Sequence, residues 1–289
     1  MPDPLVLLSS ILIEGIILGG FYSLVGLGFS QIFGIMRVMN LAHGDFIILA
    51  SYLFALFAQV LTNPFLAFIV VAPLMFMIGY LYQNVLNKMI YKDSSAILLI
   101  TICFGVALEN ILLLIFTPNP RNLCPSYLLG GIDLLGVSVR KSLLVAFSGS
   151  IATFVLLFLF FKRTYIGKAI IAASDDRLTA MLMGINPPKI YRYGMGICMV
   201  IAAVTGLMVA INYLFDPSAG TSYLMIAFGT LVIGGIGSLL GTFLGGFVLG
   251  ISQTLTANLI GTSYQLVGGY IIILIFMLLR PQGLFGRKE

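Results

Sequence analysis

The sequence predicts an all-α polytopic membrane protein of about eight or nine transmembrane helices, and three observations carry that prediction. Of 289 residues, 60% are hydrophobic and only 9% charged, whereas a soluble domain is about a quarter charged. The apolar residues fall into runs of span length, about 20 residues each. Basic residues, finally, are shared unevenly between the connections. A soluble globular protein is excluded. The net charge of +5 does not indicate a nucleic-acid binder, because the cations are scattered along an apolar chain and form no tract that could follow phosphates.

In chain order the apolar segments run from Leu5 to Phe33, Ala42 to Leu61, Phe65 to Val85, Ser95 to Phe116, Ser142 to Phe161, Tyr191 to Phe215, Tyr223 to Ile236, Leu239 to Asn258 and Ser263 to Leu279. The seventh is short and reads as either a full crossing or a half-helix. Met-Pro-Asp-Pro at the start lacks the basic region of a secretory signal, and the apolar run after it is too long for one, so it reads as a retained first span. Lys and Arg near span ends stay in the cytoplasm. If the loop from Lys162 to Arg192 is cytoplasmic and the spans alternate, Arg37, Lys88, Lys92, Lys162, Arg163, Lys168, Arg177, Lys189, Arg192, Arg280, Arg287 and Lys288 lie inside. Only Arg121, Arg140 and Lys141 lie outside. The N-terminus is then outside and the C-terminus inside, in the cytoplasm. That requires an odd number of crossings, nine or seven, with any remaining segment re-entrant.

Residues 1–289 read as one transmembrane domain, with a cytoplasmic loop at 162–190. In that loop Ser174 is placed as a helix N-cap, with Asp175 and Asp176 in an acidic first turn; Arg177 follows. Leu178, Met181 and Leu182 fall at i, i+3 and i+4, and Gly184 closes the unit. Such a short amphipathic helix rests on lipid headgroups or docks on another protein. The outer loop from Thr117 to Lys141, with its prolines and the Gly130-Gly131 pair, has turn composition throughout and reads as a cap or docking rim.

Within the spans, Gly237, Gly241 and Gly245 repeat every four residues, Gly246 and Gly250 do likewise, and Gly15, Gly19, Gly20, Gly26 and Gly28 crowd the first span. This spacing lets helix backbones approach closely in lipid. Gly234, Gly235 and Gly237 also suggest a broken helix, a feature that borders substrate paths in transporters. Glu14 and Glu109 interrupt apolar runs, so each is expected to face the protein interior or a water-filled cavity, in a functional or a structural role. Asn40, His43 and Asp45 join the first two spans. Either Asn40 or Asp45 caps a helix while His43 sits at the interface, or the segment coordinates motion between the two spans. The chain has one histidine, and its three cysteines have no ligand spacing, so neither a metal site nor a disulfide framework is implied. A phosphate loop, an H-E-x-x-H and a G-x-S-x-G are all absent from the sequence. Catalytic residues are not expected, and no cofactor is expected on this chain.

Gly19-Gly20-Phe21-Tyr22-Ser23-Leu24, and then Phe33 through Asp45, resemble the N-terminal signature of the LivH-type branched-chain amino acid ABC transporter permeases. The stretch from Ala172 to Asn186 resembles that family's cytoplasmic coupling segment, Leu231 to Gly246 its glycine-rich motif and Arg280 to Gly286 its ending. The resemblance covers nearly the whole chain in the same order. It implies a bacterial inner-membrane subunit importing branched-chain or related amino acids by alternating access. It also implies a second homologous permease, two cytoplasmic ATPases carrying ATP and Mg, and a periplasmic binding protein. Coupling is then assigned to Asp175 through Gly184, with Leu178 and Met181 as apolar anchors. From the residues alone, a passive channel or a proton-coupled transporter for small polar solutes such as urea or amides stays open.

Overall fold

The computed structural model describes residues 4–36, 39–88, 94–134 and 137–286. Arg37, Lys92, Arg287 and Lys288, four of the cations used for orientation, lie outside the described residues. The elements are α1 (Pro4–Met36), α2 (His43–Leu61), α3 (Pro64–Asn87), α4 (Ser94–Phe116), β1 (Gly131–Leu134), β2 (Val137–Arg140), α5 (Lys141–Arg163), α6 (Tyr165–Asp175), α7 (Arg177–Leu182), α8 (Pro187–Asn212), α9 (Gly220–Gly234), α10 (Leu239–Leu259) and α11 (Gln265–Leu279). Among the described residues nine helical segments are long and apolar enough to cross a membrane, at the nine places the hydropathy pattern predicts.

The bundle is organised around α8, whose residues are buried along most of its length, and around the seam between α1 and α10. Glycine makes that seam. A Cβ at Gly19 would meet the backbone of Gly246 and Phe247, and one at Gly250 would meet the backbone of Gly15 and Gly19. Two intramembrane hydrogen bonds lock the same pair of helices, from Tyr22 OH to Gln253 Oε1 at 2.6 Å and from Thr242 Oγ1 to Ser30 Oγ at 2.8 Å. In a bilayer, close packing and such bonds replace the hydrophobic drive that holds a soluble core.

The stripe Gly237, Gly241, Gly245 does not act as one unit. Gly241 and Gly245 pack on Gly234 of α9, but Gly237 has open space around it and a φ of +79°. It belongs to the turn between α9 and α10. What looked like one broken helix is therefore a pair of helices with a tight corner. The corner is closed by the C-terminal segment, where Leu284 N donates to Ile233 O (2.9 Å) and Phe285 N to Gly234 O (3.0 Å). Carbonyls freed at the end of α9 thus find donors within the protein, as a non-aqueous setting demands.

The seventh segment keeps part of its half-helix character. Gly220, the first residue of α9, packs against Gly44 and Asp45 at the start of α2. His43 in turn touches Val25 and Gly28, about two-thirds of the way along the 33-residue α1. At 1.5 Å per residue, α2 starts roughly 12 to 16 Å short of the end of α1. Both α2 and α9 therefore begin inside the bundle.

The loop from Thr117 to Lys141 differs from its expected turn structure. Within it β1 and β2 form an antiparallel hairpin in which Ile132 pairs with Val139, and Val137 and Val139 bury against Ile17 of α1. The alternation of Val137 and Val139 is the period-two signal that the prolines and glycines around it masked. Arg121 and Phe215 add a further bridge, exchanging backbone bonds of 2.9 and 3.0 Å.

Candidate functional site

At the end of the bundle opposite the hairpin, α5 turns sharply into α6. Thr164 makes this possible, since its Oγ1 accepts from Gly167 N at 3.0 Å, and Gly167 lets the new helix lie against the Phe160 carbonyl. The inner faces of α6, α7 and the start of α8 share a small core of Ala169, Ile170, Ala173, Ala180, Ile190 and Tyr191, separate from the main one. This unit is therefore a rigid bracket rather than a tether.

Its boundaries differ from the sequence expectation. Ser174 is not a cap; it lies inside α6, where its hydroxyl donates to Ile171 O. Asp175 ends α6, and Asp176 is the true N-cap of α7, accepting from Leu178 N (2.9 Å), Thr179 N (3.2 Å) and the Thr179 hydroxyl. The Thr179 hydroxyl, followed by the backbone N–H groups, holds the Asp176 carboxyl below the usual carboxylate range. At the other end Gly184, with φ +82°, closes the helix: its N–H reaches Met181 O, and Ile185 N reaches Ala180 O. That pairing, with Ile185 packed beside Ala180, is a Schellman closure. Only Ala180 of α7 points inward. Leu178 (74% exposed), Met181 and Leu182 (86% exposed) face away from the subunit, and Met183, which the stripe reading missed, joins them. Arg177 is half-buried at the start of α7.

The polar residues of the spans separate into different places. His43 is buried (1% exposed), not interfacial; its Nε2 lies 3.3 Å from Val25 O, and its ring sits beside Phe29. Neither Asn40 nor Asp45 caps α2, whose N-cap is Ala42 without a side-chain bond. Instead Asn40 Oδ1 accepts from Ala42 N (3.3 Å) and from Tyr82 OH (3.2 Å), which ties the α1–α2 connection to α3. Asp45 is half-buried, its carboxylate wedged against the bare backbone of Gly105 on α4 and of Gly220 at the first turn of α9. Glu109, one turn beyond Gly105, is half-buried and within electrostatic reach of Asp45. Glu14 is not in the interior of the subunit; it is exposed on its surface. The buried face of α1 at that level is taken up by Ile11, Gly15 and Ile17, which leaves the position of Glu14 pointing outward. Gly234, Gly235 and Gly237 sit at the α9–α10 corner, where Gly235 (φ +101°) lies against Gln282 and Gly286.

The described residues contain no cluster of three or more His, Cys, Asp or Glu able to hold a metal ion. Nine candidate spans among the described residues, helices that start inside the bundle, a half-buried carboxylate at one of those starts and a capped apolar helix turned outward fit a polytopic membrane transport protein.

The chain belongs to the family described as "Branched-chain amino acid transport system / permease component", whose model matches residues 11–279. It is 27% identical to the high-affinity branched-chain amino acid transport system permease protein BraD of Pseudomonas aeruginosa, over 96% of this chain and 95% of that protein. It is 28% identical to the permease LivH of Escherichia coli K12, over 96% and 94%. Its fold is similar to a chain of PsaBC from Streptococcus pneumoniae solved in complex with Fab, with a TM-score of 0.51, 19% identity and coverage of 96% of this chain and 92% of that one. The protein is thus a multi-pass permease of the bacterial inner membrane, and the transport roles of its relatives fit a non-enzymatic part.

Proposed function

We propose that this chain is the membrane-spanning subunit of an ATP-driven importer for branched-chain or related amino acids. In this reading it works beside a second, homologous permease, receives substrate from a periplasmic binding protein and is driven by two cytoplasmic ATPases that carry the ATP and Mg. The single observation that carries the reading is α7: a helix capped at both ends, fixed to α8 through its own small core, with four large apolar side chains turned outward. An apolar face of this kind in an aqueous compartment calls for a protein partner, and a rigid mount lets the partner's motion pass to α5 and α8.

The orientation follows from the distribution of Lys and Arg, with the N-terminus periplasmic and the α6–α7 end cytoplasmic. ATP binding draws the ATPases together, the bracket moves with them, and the permease pair opens outward to accept substrate; hydrolysis resets it inward. In this reading the Asp45 carboxylate, wedged against the first turn of α9 with Glu109 within electrostatic reach, meets the ammonium group of a passing amino acid. Asn40 and His43 hold the start of α2 at the depth where that meeting occurs.

The test is reconstitution with the ATPases and the binding protein. Replacing both Leu178 and Met181 by Asp is expected to abolish substrate-stimulated ATP hydrolysis and uptake while the subunit still inserts. Unchanged uptake in that double variant, or solute flux through the subunit without any ATPase, would count against the coupled importer and for a passive channel.

A further inference from the structure

α4 is held to the rest of the bundle on one side only, where it packs chiefly on α2 and on the turn Pro217–Ala219. On that inner face Thr101 Oγ1 accepts from Leu41 N at 3.3 Å, and Gly105 lies against Ala42 and Asp45. On the opposite face Leu99, Cys103, Val106, Asn110 and Leu114 recur at intervals of four, three, four and four residues, the near-heptad spacing of a helix–helix seam, and all five are exposed. Exposed apolar residues alone need only lipid. The outer face of α3 is of that kind, since every exposed residue from Leu66 to Leu81 is apolar. The face of α4 differs because it carries an amide.

Asn110 sits six residues, roughly 9 Å, before the end of α4 and within the span Ala96–Phe116. Gly105, five residues earlier, is level with the start of α2 inside the bundle. The Asn110 Nδ2 donates to Val106 O of the preceding turn at 2.7 Å, while its Oδ1 accepts no hydrogen bond among the described residues. A free amide oxygen against hydrocarbon is costly, and a donor on a neighbouring helix removes the cost where a lipid tail cannot. Of the partners in the proposed importer, the ATPases and the binding protein lie in water, and only the second permease has helices at this level. We propose that this face of α4 is where the second permease docks, seating a membrane helix along Leu99, Val106 and Leu114 with a hydrogen-bond donor of that helix on Asn110 Oδ1. That a second permease is present rests on the proposed function; where it docks rests on α4 itself. One Asn in an apolar seam also fixes register, since a slip of one turn leaves the amide unpaired. Glu109 lies on the flank between the inner and outer faces of α4, so the docked helix runs beside it and the carboxylates of Asp45 and Glu109 border a boundary between subunits.

The test is photocrosslinking in the intact complex in lipid nanodiscs, with benzoylphenylalanine replacing Val106, Leu114 or, on the outer face of α3, Met77, one at a time, and the adducts identified by mass spectrometry. Val106 and Leu114 are expected to capture the second permease, and Met77 lipid alone. In a second measurement, Asn110→Leu is expected to leave insertion of this chain unchanged and to lower the amount of second permease that copurifies at least about threefold, and Asn110→Gln, which keeps the amide, to lower it less. Lipid adducts alone at Val106 and Leu114, capture of a second copy of this chain, or undiminished copurification with Asn110→Leu would each overturn the docking face while leaving the importer standing. A complex that holds no second permease would overturn both.

Discussion

Leu178 of α7 and Leu278 of α11 are both 74% exposed, yet their exposure has opposite meanings. Leu278 lies in a helix whose whole surface is apolar, where a bilayer is the natural solvent and no partner is required. Leu178 lies on a six-residue helix beyond the spans, capped by Asp176 and closed by Gly184, and under the proposed function its exposed apolar face is the docking surface for an ATPase. A second contrast runs between α7 and the α1–α10 seam. The seam meets its packing and hydrogen-bonding needs within the subunit, whereas α7 has its outer face turned away from it.

These contrasts can be broken experimentally. The largest effect is expected in the seam. Gly250→Leu drives a side chain into the backbone of Gly15 and Gly19, an overpacking with a cost of about 3 kcal/mol or more, and should be read as loss of folded protein in the membrane fraction. Normal accumulation would show that the seam tolerates separation.

The exchange of solvents comes next. Leu278→Asp is expected to impair insertion by up to about 3 kcal/mol, as a charge within a span does. Leu178→Asp should leave insertion intact and reduce copurification of ATPase subunits at least tenfold. If both variants insert equally well, Leu278 is not lipid-facing.

A smaller effect is expected at the cap. Asp176→Ala should speed amide exchange at Leu178 and Thr179 about fivefold, and Asp176→Asn much less, because Asn still accepts the backbone N–H bonds. The folded pKa of Asp176 is depressed, so its contribution to α7 is present above the ordinary carboxylate range and is lost as pH falls through the lowered value. In the unaltered protein the protection of these two amides, relative to their intrinsic exchange rates at each pH, should therefore fall only in acid, and Asp176→Asn should remove that pH dependence.

The smallest effect belongs to Gly184→Ala. Open space surrounds Gly184, so the cost is the left-handed backbone alone, about 1 kcal/mol, visible as a modest fall in thermal stability of the bracket with no loss of the subunit.

The positions of the nine spans, the glycine seam and the apolar stripe of α7 were legible in the sequence, since each is a local pattern of period or composition. The cap was legible only to within two residues. Ser174, Asp175 and Asp176 are all competent caps, and the choice of Asp176 follows from α6 continuing through Asp175 onto its small core. The hairpin at 131–140 was obscured because four-residue strands among prolines and glycines carry little periodic signal. The face on which Glu14 lies was illegible for a related reason: an apolar run states that a carboxylate is in a span, not which side of the helix it occupies.

The sequence by itself determined that this chain crosses a membrane repeatedly and presents one amphipathic segment outside it, because transfer of apolar surface and the spacing of small residues are properties of contiguous stretches. Only the tertiary structure decided that α2 and α9 begin inside the bundle, that Asp45 wedges between Gly105 of α4 and the first turn of α9, and that Phe158, Lys162, Asp175 and Ile236 line one cavity. Those juxtapositions join residues far apart along the chain, and only packing in three dimensions selects which of them meet.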